Sequence, residues 1–416
     1  MPMVNTRWLI IFMVLSLFSI EPLFAQTEKA DESMRKDIQK EKGIDTSFSV
    51  SGGLGYNTNV YDAPTQNYTD YSVAAAPYVT VSRKSGMFIP LQFNAEGVKQ
   101  SGKNRIIFSY DGKMDKYLGS VSNASTSKHV VKGALEMPFS AKGKLEDRVH
   151  LELFVTRNRE TYTDHDTGAA KTTSTLGRDL SSRYTYDSTG LAAEYVQDTS
   201  DIRFGVRAEQ ETLDYARAGD GTEYDHVYTM IGGDVTIPLT ETWRVNVDLQ
   251  DYTRLYSSRH ARDLSGTTSV AYPQREYKFQ DLKTSFRYHP GKIWTLYLDY
   301  RRLDRTDTYV GYNDYTLQRY RARALFSFSD QIGMRLEAGT WNRVYPRALA
   351  FDSVTCGAAP CEKKYYDGKD GSLKLEYSKT KNLSYVLRMD LKDQYSSDPR
   401  YAFKRNTVQA EMTYGF

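Results

Sequence analysis

From Ile44 onward the chain alternates apolar and polar residues with a period of two, the pattern of extended strands whose two faces meet different surroundings. In Trp243 to Gln250, Trp243, Val245, Val247 and Leu249 share one face, and Arg244, Asn246, Asp248 and Gln250 the other. The alternation recurs at Ile202 to Thr212, Trp294 to Arg301 and Leu383 to Lys392. A soluble sandwich would alternate in the same way, so other features decide. The runs are about 10 to 16 residues long, with aromatics at the ends of their apolar faces, as in outer-membrane barrels. With 33 tyrosines, 28 glycines and only 40% hydrophobic residues in 416 positions, the chain is short of core material, and a wet lumen replaces the dry core.

The first 25 residues point the same way. Arg7 supplies a positive start, Trp8 to Phe18 is apolar apart from Ser16, and Glu21 to Ala25 resembles a cleavage region. That run of about 11 residues falls short of the roughly 20 a transmembrane helix needs. The expected organisation is a signal peptide at 1–25, a charged periplasmic leader at 26–43 and a barrel at 44–416 in the bacterial outer membrane. The leader is too short for a plug domain or a helical-repeat arm. No later apolar run reaches helical spanning length, so the membrane is crossed by strands. A net charge of +3, from 55 basic and 52 acidic residues, gives no bias towards nucleic acid, and 13% aromatics argue against disorder.

Short turns are expected at Asp198 to Asp201, Thr240 to Thr242, Pro290 to Lys292, Asp330 to Gln331 and Lys381 to Asn382. Longer polar loops are expected at Ala216 to Tyr224, Ser257 to Arg275 and Arg347 to Lys363, with Arg157 to Ser182 the longest. Tight turns on one side and long loops on the other are the barrel rule. Counting back from the C-terminus and adding Phe48 to Tyr61 gives one strand too many, because Tyr71 to Val81, Met87 to Val98 and Arg105 to Tyr117 all look strand-like. The expectation is a transmembrane antiparallel β-barrel of about 16 strands, 14 or 18 being the alternatives, with one of these runs merged or outside the wall.

Val408, Ala410, Met412, Tyr414 and Phe416 share the apolar face of the last strand. Tyr414 and Phe416 resemble the assembly signal read by the bacterial barrel-insertion machinery, which becomes an expected partner together with outer-membrane lipid. Gly55-Tyr56-Asn57-Thr58-Asn59-Val60-Tyr61-Asp62-Ala63-Pro64 resembles the opening hairpin of outer-membrane barrels associated with exopolysaccharide biosynthesis, and of the related barrel domain of surface-lipoprotein assembly modifiers. Arg400 to Phe416, with its Arg405-Asn406 pair, is similar as well; Asn57 stands where aspartate is usual. The resemblance implies a barrel serving polysaccharide export, with polysaccharide or export components as partners.

Side-chain chemistry points to a lumen rather than a catalytic centre. The histidines at 129, 150, 165, 226, 260 and 289 lack metal-ligand spacing, so no metal, cofactor or enzymatic activity is expected. Asp164-His165-Asp166 reads as a solvated loop, or at best a weak cation site. Cys356 and Cys361, five positions apart in an outer loop, read as a small disulfide staple. Because Tyr320, Ala322, Ala324, Phe326 and Phe328 face lipid, Arg319, Arg321 and Arg323 are forced inward as a ladder with steps of about 7 Å. Arg244, Arg301 and Arg335 share that orientation, as do Asp299 and Glu337. Such arginines either brace the wall through carboxylates or form a basic stripe that selects anionic solutes. The expected function is passage of polysaccharide or small polar, including anionic, solutes; the alternatives are a structural or adhesive barrel without transport and, third, an outer-membrane barrel enzyme.

Overall fold

The structure, a computed structural model, describes residues 44–72, 75–139, 147–163, 170, 179–199, 202–216, 224–351 and 362–416. Residues 1–43, where the signal peptide and leader are expected, lie outside the described residues.

Eighteen strands follow in chain order among the described residues. The first group is β1 (Ile44–Asn57), β2 (Tyr68–Thr69), β3 (Tyr78–Val79), β4 (Gly86–Ser101), β5 (Asn104–Tyr117) and β6 (Thr126–Pro138). Next come β7 (Arg148–Glu160), β8 (Tyr186–Asp198), β9 (Arg203–Tyr215), β10 (His226–Pro238), β11 (Trp243–His260) and β12 (Gln274–Tyr288). The last are β13 (Trp294–Asp307), β14 (Tyr315–Ser327), β15 (Ile332–Leu349), β16 (Lys363–Ser378), β17 (Leu383–Ser396) and β18 (Phe403–Gly415). Sixteen of them form a closed antiparallel barrel, each pairing with its sequence neighbours in the wall, and β1 closes the seam by pairing with both β4 and β18. Strands β2 and β3 form a separate hairpin in the first long loop. The surplus run Tyr71 to Val81 is therefore outside the wall, contributing only Tyr78–Val79.

The tight turns share a device. Thr240, Ser329 and Thr380 each accept, on the side-chain oxygen, the amide of the residue two further on and that of the residue three further on. Thr199 accepts the amide of Ile202 in the same way. A hydroxyl that turns the chain locally fixes where the next strand starts. Three lumen-side aromatics fold over the glycine directly opposite: Phe88 over Gly55, Phe154 over Gly190 and Trp341 over Gly368. The ring covers backbone that glycine leaves bare.

On β11–β16 the apolar face changes sides partway along. On β12 the outward Phe286, Thr284 and Leu282 give way to Gln280, Lys278 and Glu276, while the inward Lys283 and Asp281 give way to buried Phe279 and Tyr277. On β13 the outward Leu296, Leu298 and Tyr300 give way to the ion-paired Arg302 and Asp304. Charges facing hydrocarbon would cost about 2–4 kcal/mol each at mid-membrane, so the wall extends past the bilayer on the long-loop side. Inside this collar lie the buried clusters Tyr256, Tyr277, Phe279, Leu303 and Tyr312, Tyr345, Ala348, Tyr366. At the opposite end, outward rings form an interfacial girdle: Trp243 and Tyr288 are 4.4 Å apart, Tyr288 and Trp294 5.4 Å, and Tyr377 and Tyr385 6.3 Å. A closed barrel with an apolar belt, an aromatic girdle and a charged interior is an outer-membrane protein.

Two expectations are corrected. Strands β11 and β15 run on to His260 and Leu349 through register shifts, so the loops after them are shorter than their polar composition implied. The longest loop is 58–85, between β1 and β4, rather than the one between β7 and β8.

Candidate functional site in the barrel lumen

Inward-facing residues of β11–β17 carry an arginine–carboxylate network. Its centre is Asp299 on β13, whose side chain is 16% exposed. It accepts from Arg321 Nε at 3.1 Å, from Arg323 Nε at 2.9 Å and Nη2 at 3.1 Å, and from the Ser285 hydroxyl at 2.6 Å. Register explains the convergence: Asp299 sits opposite Arg321 on β14, and Tyr297 opposite Arg323. The Arg323 guanidinium also lies 4.6 Å from the Tyr297 ring centre. Glu337 on β15 pairs with Arg335 and stands 3.8 Å from Arg321. Arg319 reaches two strands away, donating to Asp370 on β16 at 2.7 Å, past Gly339, whose absent side chain leaves the path clear. Arg301 makes a two-pronged contact with the buried Asp281, both bonds at 2.8 Å, and Lys283 bridges Asp281 at 3.6 Å and Asp248 at 3.4 Å.

The three-rung ladder thus faces the lumen as its alternation requires, and every rung meets a carboxylate. Such charge-assisted bonds hold guanidinium groups in fixed orientation and cancel much of their field. Arg244 stands apart, opposite Pro238 and Arg287, with no carboxylate within 4.0 Å among the described residues.

A second network on the opposite wall escaped the sequence reading. Arg105 on β5 pairs with Glu136 on β6 at 2.8 Å, and Lys132 with Glu152 on β7 at 3.2 Å. His150 lies between these acids, its Nδ1 3.5 Å from Glu136 and its Nε2 3.7 Å from Glu152. The signal was available in the alternate positions of β6 and β7, where Lys132 and Glu136 register against Phe154 and His150. The other described histidines bond elsewhere: His129 to Tyr110, His226 to the Tyr224 carbonyl, His260 to the Tyr272 carbonyl and His289 to Thr295.

The two stretches singled out by resemblance meet at the seam. Asn59, 1% exposed, receives the Ala63 amide on Oδ1 and donates through Nδ2 to the carbonyls of Ala63 and Lys404. Asn57 accepts the Asn59 amide and donates to the Tyr117 hydroxyl. The resulting tight loop presents Asp62, at φ 53, to the lumen-facing Arg405, with contacts of 2.9 and 3.1 Å. Aspartate is among the few side chains tolerated at such a φ. Thr58 and Asn406 complete the clasp by exchanging two hydrogen bonds. Burial pushes the Tyr61 hydroxyl up from its ordinary pKa.

Tyr414 and Phe416 pack edge to face at 4.7 Å, and Phe416 lies 5.3 Å from Phe48 across the seam. Cys356, Cys361 and Asp164-His165-Asp166 lie outside the described residues.

Cavities open among the side chains of the described residues. One of about 680 Å³ is lined by Ser51, Asn57, Gln92, Glu337, Arg388 and Arg405 among others. Another, about 750 Å³ at the tight-turn end, is lined by residues including Ser49, Asn94, Lys132 and Glu152.

No family model and no curated protein matches the chain. Among solved structures it is similar to a loop L8 deletion mutant of OmpT, an outer membrane protein of Vibrio cholerae, at 9% identity and TM-score 0.45, covering 90% of this chain and 99% of that one. It is also similar to OccK2 (OpdF) of Pseudomonas aeruginosa, at 12% identity and TM-score 0.44, covering 90% and 97%. OprD of the same organism gives 11% identity and TM-score 0.44, covering 90% and 95%.

Proposed function

We propose that this barrel is a non-enzymatic channel for polar solutes and takes part in the passage of polysaccharide across the outer membrane. The observation that carries the proposal is the lumen itself. Charged and hydroxyl side chains converge there from both walls around cavities of about 680 and 750 Å³, while apolar side chains are turned to the bilayer. Polar interiors are general to such barrels, so it is the space left between the side chains that favours passage over a loop anchor. The polysaccharide part rests on the resemblance of Gly55 to Pro64 and Arg400 to Phe416 to exopolysaccharide-associated barrels, and on the fact that those two stretches form one clasp at the mouth.

The test is conductance in planar bilayers under a salt gradient, compared between wild type and an Asp62→Ala/Asn59→Ala variant. Wild type should conduct, and the variant should conduct more as the clasped loop leaves the lumen. A folded barrel without measurable conductance in either form would favour the structural or adhesive reading. One feature supports that alternative: Arg400, held by Asp398 at 2.6 Å and standing 3.6 Å from Asp70, ties two outer loops together over the mouth.

A further inference from the structure

The lumen arginines fall into two chemically different sets. In the membrane-embedded half Arg301, Arg319, Arg321 and Arg323 face carboxylates within 4.0 Å, while Arg244 and Arg287, opposite each other near the tight turns, do not among the described residues. Those in the collar are held by aromatic rings instead. The Arg305 guanidinium lies 4.4 Å from the Tyr277 ring centre and 4.3 Å from that of Tyr315. Arg343 lies 5.1 Å from Tyr315 and 5.6 Å from Tyr366, and Arg254 5.8 Å from Phe279. None of these three has a carboxylate within 4.0 Å among the described residues, and the Nε atoms of Arg254 and Arg343 are buried without a hydrogen-bond partner. The nearby acids are occupied: Asp307 accepts from the Tyr309 amide and the Asn313 side chain, and Asp314 from the Asp307 amide.

A ring face fixes a guanidinium without cancelling its charge or using its N–H donors. Arg305 spends Nε and Nη2 on the neutral Asn313 carbonyl, which leaves its charge uncancelled, and the collar therefore presents fixed cations on β11, β13 and β15, interleaved with tyrosines on β12, β14 and β16, at the strand spacing of about 5 Å. A compact inorganic anion would satisfy one such position. A row calls for a chain that repeats negative charge and hydroxyl groups at comparable intervals.

We infer that this arginine–tyrosine arc, made by Arg254, Arg305 and Arg343 with Tyr277, Tyr315 and Tyr366, is a binding site for a carboxylate-bearing saccharide chain. The inference rests on the polysaccharide reading above and deepens it: the substrate is an acidic glycan, engaged in the collar on the long-loop side. Carboxylates meet the guanidinium groups, which the buried Tyr277 and Tyr366 hold in place, and sugar hydroxyls meet the partly exposed Tyr315. The paired arginines deeper in the lumen brace the wall.

The experiment uses the full barrel in detergent and in planar bilayers, with an oligogalacturonate hexamer, maltohexaose and inorganic phosphate as probes. Binding is read from intrinsic tryptophan fluorescence, Trp341 being 5.9 Å from Arg343, and independently from current block. Oligogalacturonate should bind at least about tenfold more tightly than either other probe, and R305Q and R343Q should each weaken it about tenfold, the loss of one charge-assisted contact. K278Q, on the outward face of the same collar, should bind as wild type does. Should an arginine variant lose the heat-modifiable band of a folded barrel, wild-type binding must still weaken steeply between 0.1 and 0.5 M salt. Equal affinity for maltohexaose or phosphate, or unaltered binding in folded R305Q and R343Q, would overturn the inference. Current without selective binding would leave the channel intact and remove the arc; selective binding without current would do the reverse.

Discussion

Asp299→Asn isolates the electrostatics of the ladder. The substitution keeps the side chain's size but removes the one charge shared by Arg321 and Arg323, each within 3.1 Å. Seen from an ion about 7 Å away, one two-residue step along the wall, a unit charge contributes roughly 0.6 kcal/mol in a water-like dielectric, and about half of that after screening at 0.1 M salt. About 0.3 kcal/mol changes local anion and cation concentrations by roughly 1.6-fold in opposite directions, or about threefold in the permeability ratio. The variant should therefore be about threefold more anion-selective than wild type. Because lumen water can rehydrate the freed guanidinium groups, the stability cost should stay near 2 kcal/mol, at the low end for hydrogen bonds to charged groups. Reversal potential across a planar bilayer under a KCl gradient reads the first quantity, and the midpoint of the heat-modifiable gel shift reads the second. A folded variant whose reversal potential stays put, or moves towards cations, would show that the ladder's charge does not reach the permeating ions.

Other substitutions probe the wall and the clasp. Asn59→Ala loses three hydrogen bonds from an almost fully buried side chain and should cost about 2–3 kcal/mol, read as an earlier heat-modification midpoint, whereas loss of loop protection with an unchanged midpoint would confine its effect to the mouth. Gly368→Val should destabilise the barrel by about 1–3 kcal/mol, since even a Cβ there would stand 2.2 Å from the Trp341 indole; a tolerated valine would mean that the ring swings away freely. Thr240→Ala should cost about 1 kcal/mol while Thr240→Ser should cost much less, because the hydroxyl receives the amides that turn the chain.

Strand placement was legible because the apolar belt imposes its period on the sequence: the inward orientation of Arg319, Arg321 and Arg323 follows from Tyr320, Ala322 and Ala324 alone. The surplus run did not join the wall: among the described residues only its Tyr78–Val79 pairs, and its partner is Tyr68–Thr69 of the same loop. The partners of the arginines were harder to read. Arg319 finds Asp370 across an intervening strand, which depends on the register of three strands and on the missing side chain of Gly339. The collar escaped because a reading that follows outward apolar residues stops where they stop. On β12 the alternation continues through Lys278, Phe279 and Gln280 with its sign reversed, so the strand looks finished when only the bilayer is. For the same reason β11 and β15 were cut short at their outer ends.

The clasp joins residues 343 positions apart, and its partners are the first loop of the wall and the last strand. Its bonds to Lys404, Arg405 and Asn406 need β18 in place beside β1, however well strands β4 to β17 pair among themselves. The order of loop 58–85 is therefore an internal record of closure: in a barrel whose seam is still open, Asp62 has no counter-ion from β18, and its neighbours Thr58 and Asn59 lack their partners at Asn406 and Lys404. Any agent that recognises the folded loop from outside the cell meets only barrels that have finished closing.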